Sequence, residues 1–148
     1  MSKAAVIPVE TTHLVRDSCL CLHVQRAARE LARRFDEALR PVGLTSGQFS
    51  LMMSLNRPVP PAMGAVAEVL AMDRTTLTAA LKPLVGRGLV AVSVYRDDRR
   101  ARRLSLTARG RDVLARAIPV WERTHAATEG QLAAGRPDRL RHDLLALG

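Results

Sequence analysis

Residues 72–107 read MDRTTLTAALKPLVGRGLVAVSVYRDDRRARRLSLT, and this stretch decides the fold. Its first half has helical spacing. Leu77, Leu81 and Leu84 fall on one side, and Asp73 is a candidate N-cap. Arg74, Thr78 and Lys82 recur four residues apart on another side, with Thr75 and Ala79 beside them. That second stripe carries a guanidinium, hydroxyls, a methyl and an ammonium. Such groups match the floor of a DNA major groove, where base edges offer acceptors and thymine a methyl. Gly86 and Gly88 end the helix. The β-branched run at 89–94 predicts a strand. The charged turn at 96–103, RDDRRARR, leads to a second strand ending at Leu104, Ser105 and Leu106. Helix, strand, basic turn, strand outlines a winged helix, and hence a mainly α chain with a small β wing.

Working outward, the same logic places a partner helix before this one. Val66, Val69 and Leu70 predict a short helix over about 63–71, and a turn at Met72 and Asp73 joins the two into a helix-turn-helix. Upstream, Arg57, Pro58, Val59, Pro60 and Pro61 form a rigid linker. Thr45 followed by Gln48 has the capping-box pattern, opening a helix that would bury Phe49, Met52, Met53 and Leu55.

Residues 1–11 have no periodicity and read as a loose arm. From about Thr12 a long helix is expected, with Leu20, Val24, Ala27, Leu31, Phe35 and Leu39 as one continuous apolar stripe. Arg26, Arg29, Arg33 and Arg40 lie opposite, and Pro41 and Gly43 end it. So narrow a stripe on so long a helix reads as a dimerisation element. After the wing, Thr107 caps a further long helix carrying Val113, Leu114, Ala117, Ile118, Trp121 and His125. Pro119 should kink it. A last helix over about 138–147 presents Leu140, Leu144 and Leu147.

The 148 residues form one unit by size, and 47% of them are hydrophobic, enough to build a core. Aromatics are limited to Phe35, Phe49, Tyr95 and Trp121, so the core is Leu, Val and Ala, which favours helices. The net charge is +9, and arginine carries nearly all of the cations, lysine only Lys3 and Lys82. Such an excess points to a polyanionic partner. A GC-rich gene would also raise arginine, but would not cluster it at 96–103. No apolar run approaches the roughly 20 residues of a membrane span. No secretory signature opens the chain, and a cytoplasmic, reduced protein is expected. No Gly-rich phosphate loop, nucleophile elbow or HExxH is present, so no enzyme and no cofactor are expected. His13, His23, His125 and His142 lack metal-ligand spacing with the cysteines, and no metal site is expected.

The chain resembles the MarR family of bacterial transcriptional regulators. The resemblance covers about residues 14–130. It is carried by Gly43-Leu44-Thr45 with Gln48-Phe49, by Arg74-Thr75-Thr76-Leu77-Thr78, by Leu81-Lys82-Pro83-Leu84 and by Gly86-Arg87-Gly88-Leu89-Val90. Asp98-Arg99-Arg100 followed by Leu106-Thr107-Ala108-Arg109-Gly110 is its most specific part. It implies one MarR-type domain over 1–148: a winged helix-turn-helix lobe at 46–107, and N- and C-terminal helices at 12–45 and 108–148 forming a dimerisation region. It further implies a homodimer on a pseudo-palindromic double-stranded operator, in most members a repressor. Arg74, Thr75, Thr76, Thr78 and Lys82 would meet the major groove or flanking phosphates. Arg100 would enter the minor groove with Asp98 orienting it, and Arg99 and Arg102 would contact the backbone.

The resemblance also implies a signal. A small organic effector would bind between the dimerisation helices and the DNA-binding lobe, where His23, Ala27, Leu31, Phe49 and Met53 are the candidate lining and Arg26 a candidate partner for a carboxylate. The alternative is thiol-based sensing. Cys21 aligns with the reactive cysteine of the peroxide-sensing branch, but Gln25, Phe35 and Ser46 stand where that branch has tyrosines. Two positions apart on a helix, Cys19 and Cys21 diverge by about 200°, so an intrachain disulfide would require unwinding. Otherwise both are small packing residues.

Overall fold

Cys19 interrupts what the periodicity predicts as one long helix. The computed structural model describes residues 4–94, 97 and 101–148. Among them are α1 (Val9–Ser18), α2 (Leu20–Leu39), a 3-10 turn (Arg40–Val42), α3 (Ser46–Ser54), α4 (Met63–Val69) and α5 (Arg74–Gly86). Strands β1 (Val90–Val94) and β2 (Arg102–Leu106) follow, then α6 (Ala108–Glu129) and α7 (Arg136–Leu145). The chain divides into two compact units, Met1–Arg34 and Phe35–Gly148. None of the described helices is long and apolar enough to cross a membrane.

In the first unit, helix begins at Val9, directly after Pro8, where a loose arm was expected. Pro8 has no N–H to lose at a helix start, and its carbonyl accepts from Thr11 N at 3.1 Å. Helix then stops at Cys19, whose backbone is extended (φ −70°, ψ 108°). The Cys19 thiol takes the place of a capping hydroxyl: its Sγ accepts from Leu22 N at 3.5 Å. Its carbonyl accepts from His23 N at 3.1 Å and lies 2.8 Å from His23 Nδ1. Cys21 is exposed, with its Sγ accepting from Gln25 Nε2 at 3.3 Å. The predicted apolar stripe is open here: Leu20, Val24 and Leu31 are 68%, 39% and 39% exposed.

The second unit holds the core. Leu39, Leu51, Met52, Leu77, Leu84, Leu89 and Leu104 are almost fully buried. Thr45 and Gln48 make the reciprocal capping box, with Gln48 N donating to Thr45 Oγ1 at 3.2 Å and Thr45 N to Gln48 Oε1 at 3.1 Å. Asp36 Oδ1 accepts from Ser46 N at 2.6 Å, which ties the end of α2 to the start of α3. Phe49, Met52 and Leu55 are buried as expected, but Leu51 is buried in place of Met53, which is 37% exposed. Leu51, Met52 and Met53 are consecutive apolar residues in a short helix, so its periodicity could not choose between Leu51 and Met53.

The Pro-rich linker does more than space two helices. Pro61 O accepts from Leu104 N at 3.0 Å, Pro60 O accepts from Arg103 Nη1 at 2.9 Å, and Ala62 bridges Arg103 in antiparallel fashion. It thus covers the free edge of β2, which pairs on its other side with β1 in the register Val90↔Leu106, Val92↔Leu104, Val94↔Arg102.

Thr107 caps α6 by accepting from Gly110 N at 2.9 Å and fastens it to the end of α5 by donating to Gly88 O at 2.6 Å. α6 runs as one helix through Pro119, with Val113, Leu114 and Ala117 buried. α7 begins at Arg136, two residues before expectation, behind Gly135 in the left-handed region (φ +76°), and ends at Leu145, short of Leu147. Leu140 and Leu144 are exposed. Arg141 of α7 pairs with Glu129 of α6 and with Asp138.

Candidate nucleic-acid interface

The turn that presents α5 is built without glycine. Leu70 caps α4, Ala71 takes a left-handed backbone (φ +51°), and the amides of Ala71 and Met72 return to Glu68 O and Ala67 O at 3.1 and 2.9 Å. This is a Schellman ending. It delivers Asp73 in extended geometry to the start of α5, where Asp73 Oδ1 accepts from Thr76 N at 2.7 Å. The Thr76 amide, and after it the Thr76 hydroxyl, hold the Asp73 carboxyl below the usual carboxylate value.

Leu77, Leu81 and Leu84 anchor α5 in the core, and this fixes the rest of the helix outward. Arg74, Thr75, Thr76, Thr78, Ala79 and Lys82 are all exposed, so five of the predicted DNA-binding residues share one helix and one open surface. Two of them also make contacts within the lobe. Thr78 Oγ1 donates to Arg74 O at 2.7 Å, leaving its methyl and both oxygen lone pairs for a partner. Arg74 Nη2 lies 3.5 Å from the position a Cβ would take at Gly64 of α4.

In the wing, Arg102 is exposed at the start of β2. Asp98, Arg99 and Arg100 lie outside the described residues. Arg103 belongs to the same basic run but serves structure, through its bond to Pro60 O. Sequence reasoning missed this role, because in a charged turn a strand-anchoring arginine looks like any other.

A cavity of about 510 Å³ opens between α3, α4 and α6. Phe49, Met53, Leu70, Ile118 and Trp121 wall it, with Val69, Ser50 and Ser54 completing the lining. Phe49 stacks near Trp121 (6.1 Å between centroids, 17° between planes), and Trp121 stacks on His125 at 4.6 Å. Of the six residues expected in an effector pocket, Phe49 and Met53 line this cavity. His23, Arg26, Ala27 and Leu31 are exposed residues of the other unit. Trp121, Ile118 and Val69 were legible only as helix-stripe positions. Among the described residues no cluster of metal-ligating side chains occurs.

No protein-family model matches the chain. Solved structures do. The M. tuberculosis transcriptional regulator MosR in complex with DNA is 36% identical, with 88% of this chain and 93% of that chain covered and a TM-score of 0.80. The transcriptional repressor CouR, bound to a 23-mer DNA duplex, is 29% identical over 90% of this chain and 94% of that chain, with the same TM-score. In sequence, the HTH-type regulator SarZ of Staphylococcus epidermidis is 27% identical over 105 residues, 71% of this chain and 70% of that protein. The likeness to MosR runs nearly end to end, and with the outward stripe of α5 and the two-stranded wing it makes this chain a member of the MarR family of winged helix-turn-helix transcriptional regulators.

Proposed function

We propose that this chain is a homodimeric, sequence-specific repressor that leaves its operator when a small organic ligand binds. The observation that carries the DNA reading is the division of α5: three leucines in the core, six polar or small residues facing out. Arg74, Thr75, Thr76, Thr78 and Lys82 read or clamp the major groove. Asp98, Arg99, Arg100 and Arg102 act from the wing, where an arginine entering a narrow A·T minor groove meets enhanced negative potential. MosR and CouR are each described in complex with DNA, and CouR as a repressor, which supports the same role here.

The dimer reading rests on apolar side chains exposed on the terminal helices, among them Leu14, Leu20, Leu140 and Leu144. Two copies related by a two-fold axis would address half-sites about one helical turn (~34–36 Å) apart. Neither catalysis nor a cofactor is part of this reading, and the protein acts in the reducing cytoplasm. Light scattering on the purified chain tests the dimer: twice the 16.2 kDa chain mass is expected, and a monomer at micromolar concentration refutes it.

One observation favours the thiol-sensing alternative. Cys19 sits in extended backbone at the break between α1 and α2, outside regular helix. The helical divergence that would keep Cys19 and Cys21 apart therefore does not hold at this point. DNA binding lost with peroxide, regained with thiol and insensitive in Cys21→Ser would favour this reading over the ligand.

A further inference from the structure

We propose that a cleft at the base of the wing, between the Pro-rich linker, the end of β2 and the start of α6, binds a small dianionic oxyanion of the phosphate type. The cleft shares no lining residue with the cavity between α3, α4 and α6. Its volume is about 220 Å³. That is below the roughly 300–1,000 Å³ of pockets for drug-sized ligands, so the occupant is small. Asn56 and Arg57 line it from the linker, where Pro58 and Pro60 restrict the backbone, and Ser105 and Arg111 line it from β2 and α6. Leu104 and Leu106 are buried in the core, which turns Ser105 between them to the outer face of the strand. Arg111 Nη1 donates to Leu106 O at 3.0 Å, which anchors the guanidinium beside β2 and leaves its other N–H groups for a ligand.

No carboxylate lines the cleft. Among the described residues, neither Arg57 nor Arg111 forms an ion pair. Two guanidiniums in one concave site repel each other, and a dianion between them offsets both charges while accepting several N–H donors at once. Asn56 and Ser105 add an amide and a hydroxyl that donate to an oxyanion equally well. A monovalent carboxylate would offset only one of the two cations. The position favours a free anion over a phosphate of bound DNA. Leu106 pairs with Val90 at one end of the ladder, and the basic turn departs from Val94↔Arg102 at the other. Four strand steps, about 13 Å, separate the two ends.

The test is calorimetric titration of the DNA-free full-length protein with inorganic phosphate and with acetate, at matched ionic strength and about pH 8, where phosphate is mainly dianionic. One phosphate should bind per chain, about tenfold or more tightly than acetate. Arg57→Gln should weaken phosphate about tenfold. Ser105→Asp sets a carboxylate in the cleft, leaves both arginines in place, and should abolish phosphate binding. Arg123→Gln removes the same charge from an exposed position further along α6 and should leave phosphate affinity unchanged. Equal weakening in all three variants, or phosphate bound no more tightly than acetate, reduces the effect to general attraction by a chain of net charge +9 and overturns the proposal. Repeating the phosphate titration on protein saturated with duplex DNA separates the two sources of the anion. Unchanged affinity upholds a free anion. Loss of the phosphate site in the presence of duplex gives the cleft to a DNA phosphate and overturns the free-anion assignment.

Discussion

Gly110 lies so close to Leu89 that a Cβ at position 110 would stand 2.0 Å from the Leu89 carbonyl oxygen. The obstructing atom is backbone, and the same carbonyl accepts from Thr107 N at 3.1 Å. The first turn of α6 is therefore pressed against the entry to the wing, and only glycine permits it. Gly110→Ala should destabilise the fold by about 3 kcal/mol, the upper end for overpacking. Chemical denaturation measures this, and a change near zero would show that the junction can shift at little cost.

Ala71 bears the opposite relation to glycine. It holds a left-handed backbone that costs an L residue about 1–2 kcal/mol. Ala71→Gly removes that cost and adds some freedom to the unfolded chain, so a net gain of about 1 kcal/mol is expected. A loss of stability would mean that the Ala71 methyl contributes packing that outweighs the strain.

Thr78 distinguishes methyl from hydroxyl readout. Because its hydroxyl hydrogen is bonded to Arg74 O, the hydroxyl cannot donate to a base, while the methyl is free to meet one. Thr78→Val should keep sequence preference within a few-fold, and Thr78→Ala should relax it. Equal losses on specific and random duplex in both variants would remove Thr78 from the base-reading set.

Two arginines of the wing should separate function from structure. Arg103→Ala removes the bond to Pro60 O and should lower stability by about 1 kcal/mol. Arg100→Ala should weaken operator binding while leaving the melting temperature and the oligomeric state unchanged. Exchange of these two phenotypes would invert the roles assigned to them.

Asp73 links the recognition helix to pH. Its folded-state pKa is lowered chiefly by the Thr76 amide, relative to an ordinary value of 3.8. A depressed value means stability that is fully present above the unfolded pKa and is lost as pH falls through the lower folded one. Asp73→Asn still caps the helix but cannot titrate. The difference in stability between the two proteins should be constant above about pH 5 and shrink in acid. A difference that stays flat to pH 2 would contradict the Thr76 contact.

Much of this was written in the sequence because period and punctuation agreed there. Leu77, Leu81 and Leu84, the Asp73 cap, the Thr45–Gln48 box and the Thr107 cap are local signals, and each appears in the structure where the pattern puts it. The misses are non-local or ambiguous. The break at Cys19 was hidden because a thiol stood where a capping hydroxyl would have announced it. Met53 and Leu51 could not be ordered within the consecutive apolar run at 51–53. Arg103 and Leu104 donate to the Pro60 and Pro61 carbonyls across more than 40 residues, a pairing no window reveals. The cavity draws on α3, α4 and α6 together, so its outline emerges only from their packing.

The central claim is sequence-specific DNA binding through α5 and the wing. Selection of duplexes from a random pool by the purified protein, followed by anisotropy on a selected and a scrambled duplex at two salt concentrations, tests it most directly. The account predicts enrichment of a pseudo-palindrome, a preference of about 10³-fold or more over the scrambled duplex, and affinity that falls steeply with salt. No enriched motif, with both duplexes bound within a few-fold, would contradict it and leave a protein that holds DNA without reading it.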